Sequence, residues 1–75
     1  MKALTLQEIK IFATRRNVRR VAVENFLMTL QNNGTPREAY QNLFRDAKMY
    51  RWNQNTIRAI KDGIDLAVEK GNKSI

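Results

Sequence analysis

The chain has 75 residues, of which 43% are aliphatic or aromatic, and it can form one folded domain, residues 1–75, with no linker. It contains no Cys and no His, which excludes disulfides and thiolate zinc sites and removes the commonest general base. We therefore expect neither an enzyme nor a bound metal or cofactor. Its 14 Lys and Arg against 7 Asp and Glu give a net charge of +7, which favours an anionic partner.

The first predicted helix, 5–16, begins with a capping box. Thr5 can accept a hydrogen bond from the backbone N–H of Glu8, and the Glu8 carboxylate can reach back to the N–H of Thr5. Ile9, Phe12 and Ala13 then follow helical spacing, so they are expected to form the apolar stripe of this helix.

The second predicted helix, 17–33, has a clear apolar face. Its stripe follows the spacing i, i+3, i+4 and i+7 at Val23, Phe26, Leu27 and Leu30. Asn17 is suited to cap its start, and Gly34 can end it in the left-handed conformation. No Gly or Pro separates this helix from the first, so 5–33 could form one helix. A compact domain requires a turn, which favours a break near 14–17.

The third predicted helix, 35–51, has the strongest start signal in the chain. Thr35 is followed by Pro36 at the first helical position and by Glu38 at the third. The apolar residues then recur at helical spacing, and they are Tyr40, Leu43, Phe44, Ala47 and Tyr50.

The fourth predicted helix, 53–70, begins after Trp52, with Asn53 or Asn55 as its cap. Its apolar stripe consists of Ile57, Ile60, Ile64, Ala67 and Val68. Gly71 is expected to stop the helix, and residues 72–75 are expected to fray.

Together these segments predict an all-α fold: a single compact bundle of four helical segments, without strands. No stretch shows the alternation of apolar and polar residues that is typical of a strand. We expect Leu43, Phe44 and Ile60 in the core, together with most of the aromatic residues.

A basic cluster joins the first two helices. It reads Arg15-Arg16-Asn17-Val18-Arg19-Arg20, with no acidic residue between Glu8 and Glu24. On a continuous helix its arginines would form one compact patch, because residues four apart share a face. Since guanidinium groups bind phosphate oxygens bidentately, the cluster predicts contacts with a phosphate backbone. The alternative is a solvated helix face.

Residues 43–62 resemble a helix-turn-helix unit. The resemblance is carried by a small residue in the first helix, Ala47, and by apolar residues on both sides of the turn. Those apolar residues are Tyr50, Trp52, Ile57 and Ile60. The sequence departs from the motif at the turn, where Arg51 stands in place of the usual Gly. The resemblance implies a DNA-binding module whose second helix reads base edges.

Four polar residues at the start of the fourth helix are the candidates for reading bases: Gln54, Asn55, Arg58 and Lys61. Asn and Gln pair with adenine edges and Arg with guanine edges. The alternative is that they are caps and plain surface. The aromatic residues Tyr40, Phe44, Tyr50 and Trp52 could instead stack on single-stranded nucleic acid, although their helical spacing favours the core.

The sequence therefore predicts a small basic DNA-binding protein, such as a transcriptional or nucleoid-type regulator. Duplex DNA is the favoured partner, RNA is an alternative, and a homodimer would bury more apolar surface. The competing hypothesis is a helical protein-interaction module or adaptor without nucleic-acid binding. No apolar run approaches the roughly 20 residues of a membrane span, and we see no signal peptide, so we expect a cytoplasmic location.

Overall fold

The computed structural model describes residues 1–16, 18, 20–30 and 34–73, with the side chains of residues 16, 20 and 73 excepted. Within these ranges the chain forms four α-helices and no strand: α1 (Leu6–Arg16), α2 (Arg20–Met28), α3 (Pro36–Tyr50) and α4 (Gln54–Lys73). The prediction of an all-α bundle of four helices is confirmed. In the described ranges, no helix combines the length and the apolar character needed to cross a bilayer.

Helix α4 is the centre of the bundle. It packs against each of the other three helices, and α1 also packs against α2. Among the described residues, α3 packs against α4 alone. The largest fully buried side chains come from all four helices, and they are Ile9, Val23, Leu27, Leu43, Ile60 and Ile64.

Two of the predicted helix starts, those of α1 and α3, are present as hydrogen bonds. The N–H of Thr5 donates to Glu8 Oε1 at 2.8 Å, and the N–H of Glu8 donates to Thr5 Oγ1 at 3.2 Å. Thr35 Oγ1 accepts from the N–H of Glu38 at 3.2 Å, which caps α3. Each cap satisfies backbone donors that the first turn of a helix leaves free.

The bounds of α2 differ from the prediction. This helix begins at Arg20 and ends at Met28, so residues 29 and 30 are not helical. The Thr29 hydroxyl and the Thr29 N–H both donate to the carbonyl of Phe26, at 2.6 and 3.1 Å, which closes a tight last turn. Gly34 does not have a positive φ, so it is not the left-handed stop that we expected. The proposed cap Asn17 lies outside the described residues.

Helix α4 continues through Gly71 to Lys73, so the predicted stop at Gly71 is wrong. The N-terminal segment lies against this end of α4: the N–H of Lys2 donates to the Ala67 carbonyl at 2.9 Å. A Cβ atom at Gly71 would lie 2.8 Å from the Met1 nitrogen. Here Gly serves the close approach of two backbones rather than a left-handed turn.

An ion pair also ties the start of α1 to the end of α4. Lys70 Nζ donates to Glu8 Oε1 at 2.7 Å and to the Ala3 carbonyl at 3.4 Å. The hydrogen bond from Lys70, followed by that from the Thr5 backbone, lowers the pKa of the Glu8 carboxyl below its ordinary value. The first turn of α1 is therefore fixed both locally and by a residue 62 positions away.

Two predicted core residues, Phe44 and Tyr50, are exposed to 64% and 63%. Among the described residues, α4 is the one helix that packs on α3. Only a narrow stripe of α3 is therefore buried, at Ala39 and Leu43. Phe44 stands beside this stripe, and Tyr50 lies in the last turn of the helix. The molecule measures only 15 Å along its shortest axis. In a molecule this thin, few residues are surrounded on all sides, so some large apolar side chains lie on the surface.

Candidate nucleic-acid interface

Helices α3 and α4 are joined by a turn of three residues: Arg51, Trp52 and Asn53. Arg51 adopts the left-handed conformation, with φ 54° and ψ 47°. The N–H groups of Arg51 and Trp52 both donate to the Ala47 carbonyl, at 3.0 Å for Trp52. This is the hydrogen-bonded end of a helix that usually has Gly in the left-handed position. In the described ranges Arg51 is the one non-glycine residue with a positive φ.

Because a side chain in this conformation costs on the order of 1 kcal/mol, we expect Arg51→Gly to raise the free energy of unfolding by about 0.5–1 kcal/mol. Urea denaturation of the two proteins measures this difference directly. Arg51→Ala, which keeps a Cβ atom, is the matched control and should show no such gain. A destabilised Arg51→Gly variant would contradict the assignment of strain to this residue.

The first two turns of α4 present the predicted base-reading residues. Asn53 caps the helix, because its Oδ1 accepts from the N–H of Thr56 at 2.8 Å. Gln54, Asn55 and Arg58 follow it and are exposed. Their side chains therefore project from a helix start whose orientation is fixed by the turn and the cap.

Lys61 is exposed as well, but it has a partner on its own helix. Its Nζ lies 3.1 Å from Asp65 Oδ2, one turn further along. The same Asp65 carboxylate accepts a hydrogen bond from the Tyr40 hydroxyl of α3. Burial and this hydrogen bond raise the pKa of Tyr40 to about 12. Tyr40 and Asp65 thus link α3 to α4, whereas Lys61 pairs with Asp65 within α4.

The charge of this region is strongly positive. Residues 36–61 include six basic and two acidic side chains, whereas the rest of α4 carries three carboxylates, Asp62, Asp65 and Glu69, and two lysines, Lys70 and Lys73. All six basic residues of this region are exposed. Residues 1–35 likewise include six basic and two acidic side chains, so positive charge lies on both of these parts of the chain and not on the second half of α4.

The arginine cluster does not lie on one continuous helix. Helix α1 ends at Arg16 and α2 begins at Arg20, and Val18 between them is not helical. The spacing that would have grouped four guanidinium groups on one face is therefore interrupted. Arg19 lies outside the described residues, and the side chains of Arg16 and Arg20 are likewise not described. Arg15 is exposed on α1.

Arg15 lines a groove of about 450 Å³ between α1 and α4. The other charged residues of this groove are carboxylates: Glu8, Asp62, Asp65 and Glu69. The groove lies on the acidic part of α4, so the surroundings of Arg15 are less suited to a phosphate than those of Arg58. The structure thus brings the base-reading candidates together on α4 and leaves Arg15 apart from them.

A second, larger groove lies between α2 and the turn, and sequence reasoning missed it. We call it the aromatic groove; it has a volume of about 830 Å³ and is lined by Ala22, Phe26, Tyr50 and Trp52, among others. Trp52 contacts Phe26 edge-on, with ring centroids 6.1 Å apart, and stacks on Tyr50 at 5.8 Å and 25°. Helical spacing predicted Tyr50 in the core. Spacing within one helix does not show which other helices pack on it, and no described helix covers Tyr50 at the end of α3.

No protein-family model, no curated protein and no solved structure matches this chain.

Proposed function

We propose that this protein binds duplex DNA through α3, the turn and the start of α4, as a small regulator of the helix-turn-helix type. The observation that carries the proposal is the left-handed Arg51, which ends α3 and lets α4 begin three residues later. This turn presents Gln54, Asn55 and Arg58 at the exposed start of α4. In helix-turn-helix proteins it is the N-terminal part of the second helix that contacts base edges.

The charge distribution supports the same region and limits how α4 would approach DNA. Arg51 and Arg58 lie at or near the start of α4, whereas Asp62, Asp65 and Glu69 follow within the next turns. Since carboxylates are repelled by phosphates, only the first two turns of α4 are suited to enter a groove. The basic side chains nearest to the turn, Arg45, Lys48 and Arg51, would then contact the backbone on either side.

The conformation of Arg51 adds a second argument. A residue in a sparsely populated backbone conformation persists when the structure or its function requires it. Gly would relieve the strain at this turn, but it would also remove a guanidinium group beside the proposed recognition helix. We therefore expect Arg51→Gly to weaken binding to all duplexes alike, as loss of a phosphate contact does, while it stabilises the fold.

The test is a selection from a random duplex library, followed by titrations of the enriched and a scrambled sequence at two salt concentrations. We expect Arg58→Ala to reduce affinity for the enriched duplex by about 5- to 150-fold and to affect the scrambled one little. Arg37→Ala is the matched control, because Arg37 is also exposed but lies about 21 Å along α3 from the turn.

Two outcomes would contradict the proposal. If no sequence is enriched and the parent binds all duplexes equally, α4 is not a recognition helix and the protein is a non-specific polyanion binder. If Arg58→Ala and Arg37→Ala weaken binding to the same extent, the contact made by Arg58 carries no sequence information.

A protein-interaction module is the second candidate function, because large apolar side chains outside the core are exposed. Val21 and Met28 on α2 are exposed to 66% each, and Met49 on α3 to 61%. Such residues are common at protein–protein interfaces, including those of homodimers. Absence of binding to any nucleic acid, together with concentration-dependent association in sedimentation experiments, would favour this function over the first.

A further inference from the structure

The aromatic groove has the dimensions of a ligand site. Its volume of about 830 Å³ falls within the range of about 300–1,000 Å³ that is typical of pockets for small molecules and cofactors. The groove forms because α2 and α3 both pack on α4, whereas the described residues of these two helices do not pack on each other. It lies beside the start of α4, on the side that faces α2.

One wall of the groove is a preformed aromatic platform. The edge-on contact with Phe26 and the backbone hydrogen bond to Ala47 fix Trp52. Tyr50 stacks on Trp52, yet 63% of its surface remains accessible. A planar ligand can therefore extend an existing stack, without the entropy cost of first ordering the rings.

The polar groups of the groove match the edge of a nucleobase. Asn25 and Asn53 contribute side-chain amides, each able to donate and accept. Asn53 uses its amide oxygen to cap α4, which leaves its NH₂ group as a donor. Amides of this kind pair with the exposed edges of unstacked bases.

The charges of the groove are compatible with a phosphate. Arg51 lines it and carries a guanidinium group, the preferred side chain for bidentate phosphate contacts. The acidic residue of the lining is Asp46, and Arg45 Nε lies 3.2 Å from its Oδ1. That ion pair offsets the charge of the carboxylate.

We propose that the aromatic groove binds an unpaired nucleobase together with its phosphate. The base stacks on Tyr50, and the phosphate contacts Arg51. Two sources share this chemistry, a free nucleotide and a single-stranded segment of nucleic acid. The site shares Arg51 with the proposed duplex interface, but it does not require that Arg58 reads duplex DNA.

Trp52 makes the test direct, because it is the single tryptophan of the chain and lies in the groove. A base that joins the stack should quench its fluorescence. We would titrate the full chain with adenosine 5′-monophosphate, with single-stranded (dA)₈ and with a duplex of the same length. Saturable quenching by (dA)₈ alone identifies a strand site, and equal quenching by the mononucleotide identifies a nucleotide site. Quenching by neither, or equal quenching by the duplex, would overturn the proposal.

Variants at Tyr50 separate stacking from other contacts. Tyr50→Ala should weaken binding of the unpaired base by about 5- to 150-fold, and Tyr50→Phe, which keeps the ring, should restore it. Phe44→Ala is the matched control, because Phe44 is as exposed as Tyr50 but does not line the groove. Tyr50→Leu keeps apolar bulk without a ring. It should therefore fold as the parent does and still lose the binding of the base. Equal affinity in Tyr50→Ala and Phe44→Ala would overturn the proposal.

The two proposals fail independently. Arg58→Ala should leave the quenching unchanged, whereas Tyr50→Ala should leave the sequence preference for duplex DNA unchanged. If Arg58→Ala abolishes quenching, the base binds at the start of α4 and the groove is not its site.

Discussion

Leu43→Ala is expected to lower the free energy of unfolding by about 2–5 kcal/mol, as truncation of a fully buried Leu does. Leu43 is completely buried and belongs to the stripe through which α3 packs on α4. Leu43 belongs to the same buried cluster as residues of α1 and α2, so its truncation leaves a cavity inside the core. In a domain of 75 residues this loss is a large fraction of the total stability.

The neighbouring residue provides the control. Phe44→Ala removes a larger side chain from the same helix, but Phe44 is 64% exposed, so we expect a change of at most about 0.5 kcal/mol. Urea denaturation monitored by circular dichroism measures both variants under identical conditions. If Phe44→Ala destabilises the protein as much as Leu43→Ala does, the packing of α3 described above is wrong.

This pair also shows how far the sequence predicts the fold. Helical period and caps are local properties, and they predicted four helices, with starts at Thr5, at Thr35 and at Asn53 or Asn55. Burial depends on which neighbours a helix finds, which no local pattern contains. The sequence therefore predicted the burial of Leu43 correctly, but it missed Ala39 and assigned Phe44 to the core.

Gly63→Ala should destabilise the protein although it places a better helix former in α4. Gly63 is buried in the middle of α4, and a Cβ atom there would lie 2.5 Å from Leu27 Cδ1 and 2.7 Å from Leu27 Cδ2. Leu27 is itself almost completely buried, so it has little room to move. Overpacking costs about 1–3 kcal/mol, whereas replacement of Gly by Ala within a helix contributes about 1 kcal/mol. We expect a net loss of up to about 2 kcal/mol.

A double-mutant cycle with Leu27→Val identifies the cause. Val lacks the δ-methyl groups that are closest to position 63, so Gly63→Ala should become neutral or stabilising in that background. Asn72→Ala, at an exposed position of α4, controls for helix propensity alone. If Gly63→Ala costs the same with Leu27 and with Val at position 27, the contact between α2 and α4 is not what requires Gly.

The part of the candidate interface that lies on α4 could be predicted from the sequence, because its exposure depends on the position of residues within one helix. Gln54, Asn55 and Arg58 were identified from their position after a helix cap, and they are exposed there. The arginine cluster was predicted on the assumption of helical continuity, which the break between Arg16 and Arg20 removes. The aromatic groove brings residues of α2 together with residues of the turn, about 25 positions apart, so only the tertiary structure reveals it.

The attachment of α3 to a single neighbour has a consequence for the energy landscape of the molecule. Since α4 is the one helix that packs on α3 among the described residues, α3 can separate from it while α1, α2 and α4 keep their packing on one another. Such a partial opening requires less free energy than global unfolding, because it breaks only one interhelical interface. The hinge for this opening is the three-residue turn that contains Arg51. The orientation of α3 relative to α4 and the width of the aromatic groove would therefore vary together in the native ensemble. A ligand that bridges α3 and α4 would restrict both.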